Sequence, residues 1–339
     1  MTELNSALEK RVFGGLMGQA LGDAFAMPAY LRPQDTWSYY GGWIDGFHPG
    51  PPDHPAHHGL KAGQITDDTE QAMALAESIL TEGEVSVAAA ARAIVAWYDR
   101  VDGDNSPYVG PSTRRACQAL KQGADPMTTG TRGDTDGGAM RISPVGLINA
   151  GNVNQAIADS VTACTPTHFT NVAISGAAAV AAAIAVAMDA NSTLDDIIQA
   201  GIFGGTEGAK QGSVWLGASV PRRIELAVEI ARRDLPVYDR IVSLFDLVGS
   251  TLATSETVPT AFGVFVLADG DPRLCARYSA AVSGDADTVG AMACAIAGAW
   301  RGIDAIPAAW IETLESVNRE YDFRGVAHGL AGLAKERMG

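Results

Sequence analysis

The chain has 339 residues, 47% hydrophobic and 19% charged, enough apolar material for a substantial core in one large domain or two modest ones. Its net charge of −15 argues against a nonspecific nucleic-acid binder and against a protein of anionic membrane surfaces. The four cysteines (Cys117, Cys164, Cys275, Cys294) form no CxxC pair, so neither a disulfide framework nor a zinc site is indicated, and a reducing cytoplasm is the natural setting.

The first residues, MTELNSALEKRVFGG, carry mixed charge and no long apolar stretch, so no secretory signal is read there. Apolar residues at 3.6-residue spacing predict helices near 7–21, 68–81, 86–100, 112–122, 171–189, 222–233, 239–249 and 289–300. Their wealth of Ala and Gly suggests helices that pack closely and are buried on most faces. The most apolar stretch, Ile174 to Met188, is too short and too weakly hydrophobic for a membrane span and reads as a buried helix. Between the first two predicted helices lies a long loop, Tyr30 to Gly63, punctuated by Pro33, Pro49, Pro51, Pro52 and Pro55. A loop of that length within a compact domain is usually functional, and a lid over a cleft is one role open to it. No alternating run predicts a strand, and no repeat, linker or composition shift marks a boundary. The reading is one compact all-α domain over 1–339.

Two acidic segments stand out, Thr66-Asp67-Asp68-Thr69 and Gly284-Asp285-Ala286-Asp287-Thr288-Val289-Gly290, each opening an apolar helix. Carboxylates so crowded repel one another unless a cation sits among them, and hard divalent cations such as Mg²⁺ take oxygen ligands of this kind. Ordinary N-capping is the alternative, since Asp, Ser and Thr satisfy the free N–H groups of a first helical turn. Two segments of matched composition favour a shared metal site, with Thr66, Asp67, Asp68, Asp285, Asp287 and Thr288 as ligands. Gly130-Thr131-Arg132-Gly133-Asp134-Thr135-Asp136-Gly137-Gly138-Ala139-Met140-Arg141 is a glycine-rich loop that can expose N–H groups to phosphate or sugar oxygens, although most such loops are turns. No Gly-Lys-Ser/Thr follows it, which excludes a nucleotide P-loop. His168 precedes a buried helix and can either cap it or touch substrate. His48, His54, His57 and His58 match no common zinc spacing and read as solvated loop residues. Trp37, Tyr39, Tyr40 and Trp43 can be core or can wall a flat ring.

Taken in order, Gly14-Gly15-Leu16-Met17-Gly18-Gln19-Ala20-Leu21-Gly22-Asp23-Ala24, Thr66-Asp67-Asp68-Thr69, Asp136-Gly137-Gly138-Ala139-Met140-Arg141-Ile142, Thr167-His168 and Gly284 to Gly290 resemble the ADP-ribosylglycohydrolase family. The resemblance covers about the first three hundred residues. It implies an orthogonal helical bundle with two Mg²⁺ ions (Mn²⁺ being the alternative) in a cleft, held by Thr66, Asp67 and Asp68 from one side and Asp285, Asp287 and Thr288 from the other. The four aspartates would serve catalysis, the metals holding the ribose hydroxyls while water displaces the group on the anomeric carbon. Asp136, Gly137 and Gly138 would contact the phosphate or ribose side, and His168 would line the cleft.

Two departures accompany the resemblance. Tyr30 stands where the family places a glutamate near the scissile bond, and Tyr108-Val109-Gly110 stands where an Asp-Ile/Val-Gly segment is expected. They leave open a small nucleoside or related ribosyl compound as substrate in place of ADP-ribosylated protein, with the Trp37 to Trp43 cluster as a base platform. A non-enzymatic relative is the third option. Neither nucleic-acid nor membrane partners are expected.

Overall fold

A computed structural model describes residues 6–338. Among these residues there are eighteen α-helices and no strand. Extended pairing is confined to two isolated bridges, Thr135 with Ala253 and Thr170 with Ser213. The all-α expectation holds, and the helices read from periodicity appear at Ala7–Ala26, Asp67–Glu82, Val87–Arg100, Pro111–Lys121, Asn171–Ala187, Val220–Ala231, Val237–Leu247 and Ala286–Arg301.

Several helices were not legible from spacing. Thr254–Leu267 is buried almost throughout and carries Pro259 and many β-branched residues, so neither periodicity nor propensity marks it. Pro33–Tyr40 lies inside the stretch read as loop; Pro33 occupies its first position, where a missing N–H costs nothing. No helix among the described residues is long and apolar enough to cross a membrane.

The site is positioned by one helix pair. Ala7–Ala26 is buried from Val12 to Ala26 and runs against Ala286–Arg301. Gly14, Gly18 and Gly22 recur every four residues and form one stripe of the first helix. They face Gly298, Cys294 and Gly290 of the second. A Cβ on Gly22 would lie 1.9 Å from the Gly290 carbonyl oxygen, and one on Gly14 would lie 2.3 Å from that of Gly298. Only glycine permits backbone contact this close, and the contact sets Asp23, next to Gly22, beside the start of the second helix.

Candidate active site

The acidic segments do begin helices, but they do not cap them. Thr66 and Asp285 stand at the N-cap positions of Asp67–Glu82 and Ala286–Arg301, and neither side chain makes a cap hydrogen bond. The Thr66 hydroxyl instead reaches Asp23 Oδ1 at 2.8 Å and Asp68 Oδ2 at 3.1 Å. Asp23 does the capping from outside, accepting from the backbone N–H groups of Thr66 (3.0 Å) and Thr69 (3.2 Å) and from the Thr69 hydroxyl. Oxygens of Asp23, Asp68 and Asp287 all lie within 4.8 Å of one another. The carboxyls of Asp136 and Asp285 interact with each other, an arrangement that favours a shared proton or cation between them. Asp136 also accepts from Thr257 Oγ1 at 2.8 Å, and Asp67 accepts from Gln71 Nε2 at 3.1 Å.

Five of these six aspartates are buried, and Asp285 is partly open to the cavity above. Burial first, and then the neighbouring charges led by Asp287, push Asp67 and Asp68 well above the ordinary carboxylate range. Burial and the charge of Asp136 do the same to Asp285. Asp23 and Asp136 rise to about 7, burial outweighing the hydrogen bonds they accept. Asp287 alone is lowered: His57 Nε2 lies 3.1 Å from its Oδ2 and outweighs the cost of burial. Reciprocally, Asp287 overcomes the desolvation of His57 and raises the imidazole to about 9. That is the sole ion pair made by this group among the described residues. Two oxygens, Asp68 Oδ1 and Asp285 Oδ2, are buried with no hydrogen-bond partner. Hard oxygen donors, excess negative charge and orphaned carboxylate oxygens together fit a divalent cation of the Mg²⁺ or Mn²⁺ kind.

Above this floor lies a cavity of about 550 Å³. Asp67, Asp68, Asp136, Asp285, Asp287 and Thr288 face it from below. His54 to His57 form one wall, and Tyr108, Val109, Met140, Phe245 and Leu252 supply apolar surface. Other anticipated residues lie elsewhere. Thr66 is beneath the floor, and Gly137 lines the cavity whereas Gly138 does not. His168 is fully buried one layer down, bonded to Thr135 and Thr167, so it does not line the cleft. Tyr30 is also off the cavity; its hydroxyl donates to Asp53 at 2.7 Å and its carbonyl accepts from the Gly284 N–H at 3.2 Å. Trp37 and Trp43 pack edge-on and tilted against each other and Tyr238, away from the cavity, so they offer no base platform there.

His54 and His57 correct the reading of solvated loop histidines. Both are buried with rings stacked 4.6 Å apart, His54 Nε2 against the Ala29 carbonyl and His57 Nδ1 against that of Met27. The loop folds back on the end of the first helix, which their local spacing gave no means to foresee. Asp23 was overlooked as a site residue because it is a lone acid within a helix; its only signal was membership of the Gly22-Asp23-Ala24 motif.

The ADP-ribosylglycohydrolase family model matches residues 4–338, and the chain belongs to that family. YegU of Escherichia coli (strain K12) is 36% identical, over 97% of this chain and 98% of its own length. The ADP-ribosyl-[dinitrogen reductase] glycohydrolase of Rhodospirillum rubrum is 26% identical, over 97% of this chain and 98% of its own. A solved chain of an ADP-ribosylglycohydrolase-related protein complex shares the fold with a TM-score of 0.71, covering 96% of this chain and 99% of that one at 23% identity.

Proposed function

We propose that the chain, acting as one unit over 1–339, hydrolyses a ribosyl glycosidic bond of the ADP-ribosyl class for which its family is named. In this reading Thr66, Asp67, Asp68, Asp285, Asp287 and Thr288 hold two Mg²⁺ ions, with Mn²⁺ as the alternative, and Asp23 joins the set. The observation that carries it is the pair of partnerless oxygens, Asp68 Oδ1 and Asp285 Oδ2, within six crowded carboxylates facing one imidazole. When bound, such ions orient the ribose hydroxyls and acidify a water for attack on the anomeric carbon. The chain's own groups do the rest. Asp136, sharing a hydrogen with Asp285, accepts a ribose hydroxyl at the rim of the floor, and Gly137 allows the sugar to approach the backbone. Tyr108, Phe245 and Leu252 exclude bulk water on the far side. Tyr30, Gly138 and His168 act as supports of this site, not as its lining.

A second reading, hydrolysis of a nucleoside at its N-ribosyl bond, draws support from Tyr108 and Phe245, which present ring surface to the cavity where Trp37 and Trp43 do not. Release of ribose or ADP-ribose from ADP-ribosyl-arginine, ADP-ribosyl-serine peptide, ADP-ribose-1″-phosphate and common nucleosides, with Mg²⁺ and with EDTA, tests both. EDTA-sensitive release from an ADP-ribosyl compound is the expected result. Release confined to nucleosides would transfer the assignment to the second reading, and EDTA-resistant release would remove the metal from either.

A further inference from the structure

Beneath the acidic floor lies a buried cation, Arg141, with no carboxylate in salt-bridge contact among the described residues. Arg141 is 1% exposed, and its guanidinium donates from Nη1 to Gln71 Oε1 at 2.9 Å and from Nη2 to the Thr167 hydroxyl. A guanidinium has donors and no acceptor, so it fixes the direction of each hydrogen bond it makes. On one arm Gln71 must accept through its oxygen, which leaves its Nε2 to donate to Asp67 Oδ2 at 3.1 Å.

On the other arm Thr167 accepts from Arg141, and because its buried hydroxyl has no third side-chain partner among the described residues, its hydrogen goes to His168 Nδ1 at 2.8 Å. Burial, and then the charges of Arg141 and Arg115, hold the His168 pKa well below its ordinary value, so the ring is neutral. A neutral imidazole accepting at Nδ1 carries its hydrogen on Nε2. Nε2 lies 3.0 Å from Thr135 Oγ1. The glycines of the loop serve this contact: a Cβ on Gly137 would come within 2.9 Å of His168 Nε2, and one on Gly138 within 3.0 Å of its Cβ. Thr135 itself lines the cavity, and its hydroxyl makes no other side-chain hydrogen bond among the described residues.

We propose that Thr135 binds substrate through a hydroxyl locked as a donor toward the cavity by the relay Arg141–Thr167–His168, and that it takes a substrate oxygen able to accept. The proposal rests on the reading of this cavity as a ribosyl site. Arg141 and His168 are positioning residues in it, touching no substrate, and the Gly137-Gly138 pair exists to let the imidazole reach the loop.

The test pairs titration calorimetry with NMR. With Mg²⁺ present and ADP-ribose as the probe, Thr135→Val should weaken binding about tenfold, the loss of one hydrogen bond of roughly 1.4 kcal/mol. Thr135→Ser should bind and melt as the parent does, whereas Thr135→Val should also melt below it, because the buried His168 Nε2–H loses its acceptor. Repeating the titration with ADP and with ribose assigns the accepted oxygen to phosphate or to sugar, according to which probe suffers the loss. Nitrogen-15 histidine spectra give a readout independent of binding, and a hydrogen on His168 Nε2 at neutral pH is the expected tautomer. A hydrogen on Nδ1, or ADP-ribose binding unchanged in Thr135→Val, overturns the proposal while leaving the metal and ribosyl reading intact. Failure of the parent protein to bind any of the three probes overturns that reading, and this proposal with it.

Discussion

The floor and the histidine wall of the cavity are held in different ways. The floor rides on helices whose separation is set by backbone contacts through Gly14, Gly18, Gly22, Gly290 and Gly298, so its carboxylates cannot move apart to relieve their repulsion. The wall, from Pro49 to His58, is held to the rest mainly through side chains: His54 to the Ala29 carbonyl, His57 to that of Met27 and to Asp287, and Asp53 to the Tyr30 hydroxyl at 2.7 Å. Rigid packing therefore maintains the charge cluster, and a looser segment supplies its one compensating cation. Damage to the floor should act on the whole fold or on all metal binding. Damage to the wall should be graded and sensitive to ions.

The largest effect is expected from Gly22→Ala. Its Cβ would meet the Gly290 carbonyl oxygen at 1.9 Å, and neither helix backbone can yield without moving the other. A loss of about 3 kcal/mol or more follows, at the upper end for overpacking, and thermal unfolding checks it. A variant as stable as the parent would show that the two helices can slide apart, and the contrast drawn above would fail.

Next comes Asp68→Asn. It removes one negative charge from a group whose Oδ1 has no partner and whose repulsion with Asp287, Asp23 and Asp67 already penalises the ionised form. The chelated variant should melt at or above the parent, by up to about 1 kcal/mol in stability, whereas the rise in melting temperature on adding Mg²⁺ should vanish. Loss of stability in EDTA together with a preserved Mg²⁺ response would mean the floor is not a cation site.

For His57→Gln the wall loses its charge, leaving Asp287 buried and unpaired. In EDTA this should cost about 3 kcal/mol, and much less in Mg²⁺, where a cation takes over the compensation. The pH dependence sharpens the point. The folded pKa of His57, about 9, lies above its unfolded value near 6.5, so its stabilisation is complete below about pH 6.5 and is lost as pH rises toward 9. The raised carboxyls of Asp23 and Asp136, at about 7, act in the same direction from about pH 4 to 7, because the folded state binds more protons than the unfolded one. Chelated parent protein should therefore lose stability steadily from pH 5 to 9, and His57→Gln should flatten only the upper part of that slope. An identical slope above pH 7 in both proteins would remove His57 from the balance.

The same contrast explains what the sequence could reveal. Paired carboxylates at the head of two apolar helices were legible because their crowding is local, within four or five residues of chain. The glycine stripe was visible as composition, though its partner across the interface was not, since backbone contact depends on a crossing geometry that no spacing encodes. His57 was illegible for a related reason: its partner Asp287 is 230 positions away, and the burial that makes the pair matter comes from a loop folding onto the end of another helix. Thr254–Leu267 was missed because a helix buried all round has no polar face to set a period. His168 was noticed, but its place below the floor followed from Gly137 and Gly138 opposite, whose shortage of side chain read equally well as a turn.

The smallest effect separates the packing account from a general intolerance of change at glycine. Gly332 lies within the helix Phe323–Met338, exposed, and a Cβ there would meet nothing within 4 Å. Gly332→Ala should stabilise the protein by roughly 0.5–1 kcal/mol, because alanine restricts the unfolded chain and suits a helix interior without displacing a neighbour. The sign is opposite to that for Gly22→Ala, though both are the same substitution in the middle or last turns of a helix. If both variants lost stability to a similar degree, helix propensity and solvent exposure would have to be set aside and the close approach at Gly22 would lose its special standing. A small gain at Gly332 beside a large loss at Gly22 would locate the constraint where the floor is built, in the backbone contact that keeps Asp23 next to Asp287.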